Sequence, residues 1–453
     1  MTLRILLTIP LLLMALAGFG QQAGPAYSMM LQEIADAPQA DRIEKDITKL
    51  VSFGTRHTLS DTVSETRGIG AARRWIKKEF ERISAECGNC LEVIYVQDTV
   101  MNRSRVPGTA NIVNVIAIQR GTADPDRVVM MSGDIDSRIS DVMNATDDSP
   151  GANDNASGVA GAIEAARVLS KYKFPGTIVY AALSGEEQGL LGGEILAKWS
   201  QEQGWKIKAV LNNDMIGNIE GINGVVNNSV VRVFSEGTRA VETDREARIR
   251  RFTGGEVDSP SRNLARYIDH MSDLYFPNLD VMMIYRLDRF GRGGHHRPFN
   301  DIGAAAVRLM ETYEHYDRQH QDLRTEDGIK YGDVLEKVDF DYAATVTGLN
   351  AVTLAGLASA PAPPKNVSIE GAVSASTTLK WEPAGDENIT GYKVYWRLTT
   401  SPVWQYSRMV GDVDSYELEN VIIDNYFFGV STVGEDGAES PVVFPGPAGS
   451  FGE

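Results

Sequence analysis

The sequence predicts an α/β fold, a mixed, largely parallel sheet with helices on both faces, followed by a small all-β sandwich. Three observations predict it. Short apolar runs alternate with stretches of helical spacing up to about residue 357. A Pro/Ala-rich segment then interrupts that pattern at 358–365. Beyond it come short alternating runs separated by turn clusters such as Gly434-Glu435-Asp436-Gly437. A chain of 453 residues has room for both parts.

Segment 1–20 reads as an export signal, with Arg4 ahead of an apolar run over 5–17 and small residues before Gln21. The run is short for a membrane-spanning helix, so the mature protein is expected to be exported, secreted or periplasmic. Cys87 and Cys90 are the only cysteines. In an exported chain without a thioredoxin-like unit around them they read as a local disulfide. Within 21–357, strands are expected over 128–132, 177–183 and 207–211, and helices over 156–171 and 190–201. A further helical stretch is expected over 304–309. Region 366–453 supplies the sandwich. Its Trp381, Gly391-Tyr392-x-Val394-Tyr395 and Tyr426-x-Phe428-x-Val430 resemble a fibronectin type III module. Such a tail could contact a polymer or a cell surface.

The net charge of −17 argues against nucleic acid as a partner, because a phosphate backbone is gripped by clustered Lys and Arg. Surplus carboxylates are ordinarily a solvated surface. Here several fall just past the expected strands, where ligands bind in open α/β sheets. Asp134-Ile135-Asp136 follows the first strand, Glu186-Glu187 the second and Asp214 the third, while Asp154 precedes the first helix. Taken singly, Asp154 reads equally as a helix cap and Glu186-Glu187 as first-turn acids facing a helix dipole. Gathered at one sheet edge they would repel each other unless cations neutralise them, which points to a metal site. His295-His296 sits in a Gly-rich loop free to reach that edge. His57, His270, His315 and His320 read as surface or structural.

The strings Gly-Ala-Asn-Asp-Asn-Ala-Ser-Gly (151–158), Leu-Ser-Gly-Glu-Glu-Gln-Gly-Leu-Leu-Gly (183–192), Asn-Asp-Met-Ile-Gly (213–217) and Gly-His-His-x-Pro-Phe (294–299) stand in this order. Together they resemble the secreted zinc aminopeptidases with two co-catalytic metals, of the bacterial leucyl aminopeptidase and aminopeptidase Y type. The resemblance runs from about 111 to 309. It implies two divalent ions, zinc foremost, bridged by Asp154, with Glu187 and His296 completing one position and Asp214 the other. It further implies Glu186 as general base, Asp136 as a carboxylate behind the ligands, and a peptide or protein as substrate. The family has His-x-Asp where this chain has Asp134-Ile135-Asp136. One position would then be all carboxylate (Asp134, Asp154, Asp214), a set that also suits manganese or magnesium. Two other readings follow from the residues: a single-zinc enzyme similar to glutaminyl cyclases, and a non-catalytic binding protein on the same scaffold. Retention of Glu186 beside the full set argues against the binding protein, which has no use for a base. The arginines of 285–292 are candidates for lining its pocket.

Overall fold

The computed structural model describes residues 24–386 and 388–451. The expected export signal lies outside them. The first part of the chain runs α1 (Met29–Ala35), α2 (Ala40–Val51), α3 (Gly68–Glu86), β1 (Glu92–Arg103), β2 (Val106–Gln119), β3 (Asp124–Asp134) and α4 (Ala156–Leu169). It continues through β4 (Gly176–Leu183), α5 (Leu191–Glu202), β5 (Lys206–Asn213), β6 (Val230–Ser235), α6 (Asp244–Thr253) and α7 (Pro260–Tyr275). After these come β7 (Asp280–Ile284), the short α8 (Arg297–Asp301), β8 (Ala306–Glu311), the small hairpin β9 (Arg324–Glu326) and β10 (Ile329–Tyr331), and α9 (Phe340–Ser359). Cys87 and Cys90, just past α3, are joined as a disulfide. Among the described residues no helix is long and apolar enough to cross a membrane.

One sheet holds eight strands in the order β1-β2-β4-β3-β5-β8-β6-β7. Its centre, β4-β3-β5-β8, is parallel, and β1, β2 and β6 pair antiparallel with their inner neighbours. Alternation along the central strands feeds two cores. Val129, Met131, Leu211 and Val307 face the layer of α4 and α9, while Val128, Met130, Val210 and Ala306 face α5 and α8. This period of two puts Ser132 and Asp134 of β3, and Arg308 of β8, on the α5 face.

Segment 304–309 is therefore not the helix its alanines suggest; most of it is β8, paired with β5 through Val210↔Ala306 and Asn212↔Arg308. Intrinsic propensity gives way because the strand is buried along its whole length between β5 and β6. β8 thus adds a fourth parallel strand whose carboxyl end opens onto the same edge as the other three.

Two glycines set how closely α4 approaches that edge. A Cβ on Gly133 would lie 2.2 Å from the backbone of Gly158, and one on Gly158 would lie 2.2 Å from the carbonyl oxygen of Asn213. Only there does the turn 151–155 come down over the ends of β3 and β5. After α9, strands β11 (Lys365–Glu370), β12 (Thr377–Glu382), β13 (Ile389–Leu398), β14 (Tyr406–Gly411), β15 (Ser415–Leu418) and β16 (Tyr426–Gly434) form two antiparallel sheets, β11-β12-β15 and β14-β13-β16. Trp381 and Tyr392 meet across them with ring centroids 5.3 Å apart. Asp258, buried just before α7, holds this tail by accepting from Arg397 of β13 at 2.7 and 2.8 Å and from Arg266 at 2.9 Å.

Candidate metal centre

Parallel neighbours β4, β3 and β5 end level with one another, so their following residues share one edge. Register brings Asp134 opposite Leu183, three residues before Glu186, and Ser132 opposite Asn212, two before Asp214. Asn155, not Asp154, caps α4: its side-chain oxygen accepts from Gly158 N at 3.0 Å. Its amide donates to Asp134 Oδ2 and to the carbonyl of Asn213, each at 2.7 Å. The cap thus ties the turn to both strand ends and leaves Asp154 free to point elsewhere.

Asp154 is fixed by Asp333, a residue without a motif in the sequence, whose carboxyl accepts from the backbone N–H groups of Asn153 and Asp154 at 2.9 and 2.7 Å. Burial pushes Asp333 up to about 7. Asp136 does the same for the second loop. It accepts from the backbone of Gly185 (2.7 Å), Glu186 (3.2 Å) and Glu187 (3.0 Å), and from the Thr58 hydroxyl (3.0 Å). Its carboxylate is consumed in shaping the turn that carries the Glu pair, so it acts on the site through that turn.

One ligand atom from each of Asp154, Glu187 and His320 lies within 4.8 Å of the others. His320 Nε2 stands 2.8 Å from Asp154 Oδ2 and 2.7 Å from Glu187 Oε1. Arg138 donates to Glu187 Oε2 at 2.7 Å and lies 2.6 Å from the other ring nitrogen of His320. Burial opposes charge on this ring, but Glu187 and Asp154 outweigh it and push His320 up to about 9. Asp154, against burial, is held well below the usual range by His320.

His320 is thus the histidine the carboxylates converge on, although the sequence suggested a surface or structural residue. His296 is elsewhere. Its fully buried ring bonds through Nε2 to the carbonyl of Leu287 at 2.8 Å and lies 3.6 Å from Asp288. Burial lowers it to about 4, leaving a neutral ring that pins the 285–292 loop. His320 stands on the loop between β8 and β9, well past the strand end, so position along the sequence does not single it out.

Asp134 and Asp214 face different partners. His295 Nδ1 lies 2.5 Å from Asp134 Oδ1, opposite the bond that Oδ2 accepts from Asn155. Asp214 Oδ2 is 2.9 Å from Nη2 of the fully buried Arg308, whose Nε donates to the Asp214 carbonyl at 2.8 Å. Burial, reinforced by Asp134 and Asp154, pushes Asp214 up to about 8 despite the pull of Arg308. Burial, with Asp136 next, raises Asp134 well above the carboxylate range.

Glu186 lines a cavity of about 310 Å³ together with Asp154, Glu187, Asp214 and His320. Arg289 and Arg292 of the 285–292 loop also line it, as the sequence suggested. The Glu186 carboxyl makes no hydrogen bond among the described residues. Burial, then the charges of Glu187, Asp214 and Asp134, raises it well above the usual range. A carboxyl so placed, with its proton affinity raised, can accept and return a proton.

The family model described as Peptidase family M28 matches residues 114–336. A probable zinc metalloprotease of Leptosphaeria maculans is 43% identical over 427 residues, covering 93% of this chain and 98% of that protein. Another, from Pyrenophora teres f. teres, is 42% identical and covers 92% of this chain and 87% of its own. Among solved structures, the LapA aminopeptidase of Legionella pneumophila superposes with a TM-score of 0.53 at 19% identity, over 76% of each chain. That likeness concerns the fold. The identity and coverage of the curated relatives go further: the chain belongs to peptidase family M28.

Proposed function

We propose that the protein is an exported zinc-dependent exopeptidase, an aminopeptidase removing N-terminal residues from peptides. The observation that carries this reading is the convergence of Asp154, Glu187 and His320 beside the unpaired Glu186. Two carboxylate oxygens and one imidazole nitrogen are a donor set that zinc accepts, with room for a further ligand. Zinc bound there supplies a Lewis acid that polarises a carbonyl and lowers the pKa of water.

The chain's own residues do the rest. Glu186 takes the proton of the attacking water and returns it to the departing amine, which its raised pKa suits. Asp136 holds the Glu186-Glu187 turn through three backbone N–H groups, and Asp333 holds Asp154, so proton acceptor and ligands keep one geometry. Arg289 and Arg292 border the cavity, where a substrate carbonyl or carboxylate is within their chemistry. The finer expectation of a second ion, with manganese or magnesium as alternatives, depends on Asp134 and Asp214 taking a metal in competition with His295 and Arg308. Export rests on the leader, and a fibronectin type III-like role in surface contact rests on the aromatic pattern of the tail.

Purified protein is expected to hydrolyse aminoacyl-anilides, to lose that activity to a chelator and to regain it with zinc. Absence of hydrolysis combined with cyclisation of N-terminal Gln would replace this reading with the cyclase one.

A further inference from the structure

We propose that Arg308 is the built-in cation of the Asp134–Asp214 side, and that the protein binds one metal ion per chain instead of the pair its resemblance implies. The inference rests on the proposed zinc at Asp154, Glu187 and His320. It concerns what the remaining carboxylates do.

Arg308 cannot easily be moved aside. It is fully buried in mid-strand; its guanidinium donates to the Asp214 carbonyl (2.8 Å), the Asp288 carboxylate (3.2 Å) and the Gly293 carbonyl (3.0 Å), and its Nη2 lies 2.9 Å from the Asp214 carboxylate as an ion pair. A guanidinium stays protonated and has no lone pair to offer a metal. A divalent ion drawn to Asp214 would therefore meet a fixed, buried positive charge, where like charges repel more strongly than in bulk water. Rotating Arg308 away would strand both Asp214 and Asp288 without their buried partner.

Asp134 is committed as well. In the resembling family this position is an imidazole, whereas here it is a carboxylate with both oxygens engaged, Oδ1 by His295 and Oδ2 by Asn155. Surrendering Oδ2 to a metal would break the Asn155 bridge that joins the turn 151–155 to β3. The two carboxylates that would make the second position thus already have partners, one neutral ring and one permanent cation. Among the described residues, candidate ligand atoms converge only at Asp154, Glu187 and His320.

The test is a metal count. Stripped full-length protein is reconstituted with excess zinc and, separately, excess manganese, desalted, and examined by native mass spectrometry and elemental analysis. One zinc per wild-type chain and none in His320→Ala is the expected result. Two zincs per wild-type chain would overturn the inference and leave the zinc reading standing. No zinc in the wild type would overturn the zinc reading and, with it, this one. One zinc retained by His320→Ala would place the ion on the Asp134–Asp214 side and overturn both placements. Arg308→Met, checked for folding by circular dichroism, is expected to take up a second ion, manganese included. A folded variant that stays at one would refute the role given to Arg308. Should it not fold, the wild-type count still decides.

Discussion

On one side of the carboxylate cluster Asp154 and Glu187 turn toward His320 at 2.8 and 2.7 Å; on the other, Asp214 meets Arg308 at 2.9 Å and Asp134 meets His295 at 2.5 Å. Both sides are made of acids gathered at one sheet edge, from the ends of parallel strands and, for Asp154, from the turn ahead of α4. They differ in the partner that answers the negative charge. An imidazole can give up its proton and present a lone pair to a metal, so its place beside two carboxylates is exchangeable. A buried guanidinium can do neither, so its place is permanent. A cluster of acids by itself therefore does not count metals; the cations already folded among them do.

The largest effect should come from the group between the two sides. Glu186→Gln is expected to lower kcat by about 10²- to 10⁴-fold with zinc content unchanged. A variant that keeps most of its turnover in anilide hydrolysis would show that the proton passes through another group. Next, the two histidines should separate cleanly. His320→Ala is expected to weaken zinc binding by more than ~100-fold, beyond the range typical for residues behind the ligands. His296→Ala should retain zinc and alter KM through the loop it pins. Equal zinc loss in the two, measured by competition with a chromophoric chelator, would erase the distinction drawn here.

Asp136→Asn puts an amide N–H₂ against backbone N–H groups that now share a carboxylate. A fall in kcat of about 10- to 100-fold with zinc retained is expected, and an unchanged kcat would remove Asp136 from the positioning role. The smallest expected effect is on the pH profile. Glu186 must be ionised to accept a proton, and its pKa is raised by burial and by Glu187, Asp214 and Asp134. Activity should thus be present above that raised pKa and fall as pH drops through it, with a limb above the ordinary carboxylate value of about 4.3. In a manganese- or zinc-loaded Arg308→Met protein the loss of a nearby positive charge and gain of an ion should shift that limb. A limb that stays in place would mean Arg308 and the second ion are electrostatically invisible to Glu186.

Much of the fold was legible because its pattern is local. The runs at 128–132, 177–183 and 207–211 are strands, and the helical spacing from Ala156 marks α4. The strand-end rule then gathers Asp134, Glu186, Glu187 and Asp214, and the turn ahead of α4 supplies Asp154. Alanines at 304–306 suggest a helix, yet β8 is completely buried between β5 and β6, where pairing decides. As a strand, β8 places Arg308 opposite Asn212 and leads onward to His320. The resemblance pointed instead to His296, in the Gly-rich loop.

The sequence by itself determined the alternation of strands and helices and the acids at the strand ends, because each is set by neighbours along the chain. Only the tertiary structure decided the partners of those acids. His320, Arg308, His295 and Asp333 come from segments more than one hundred residues distant from Asp154, or from a strand whose identity depends on burial. Charge pairing in a dry interior is decided by which side chains the completed sheet brings within about 3 Å, and no local period encodes that.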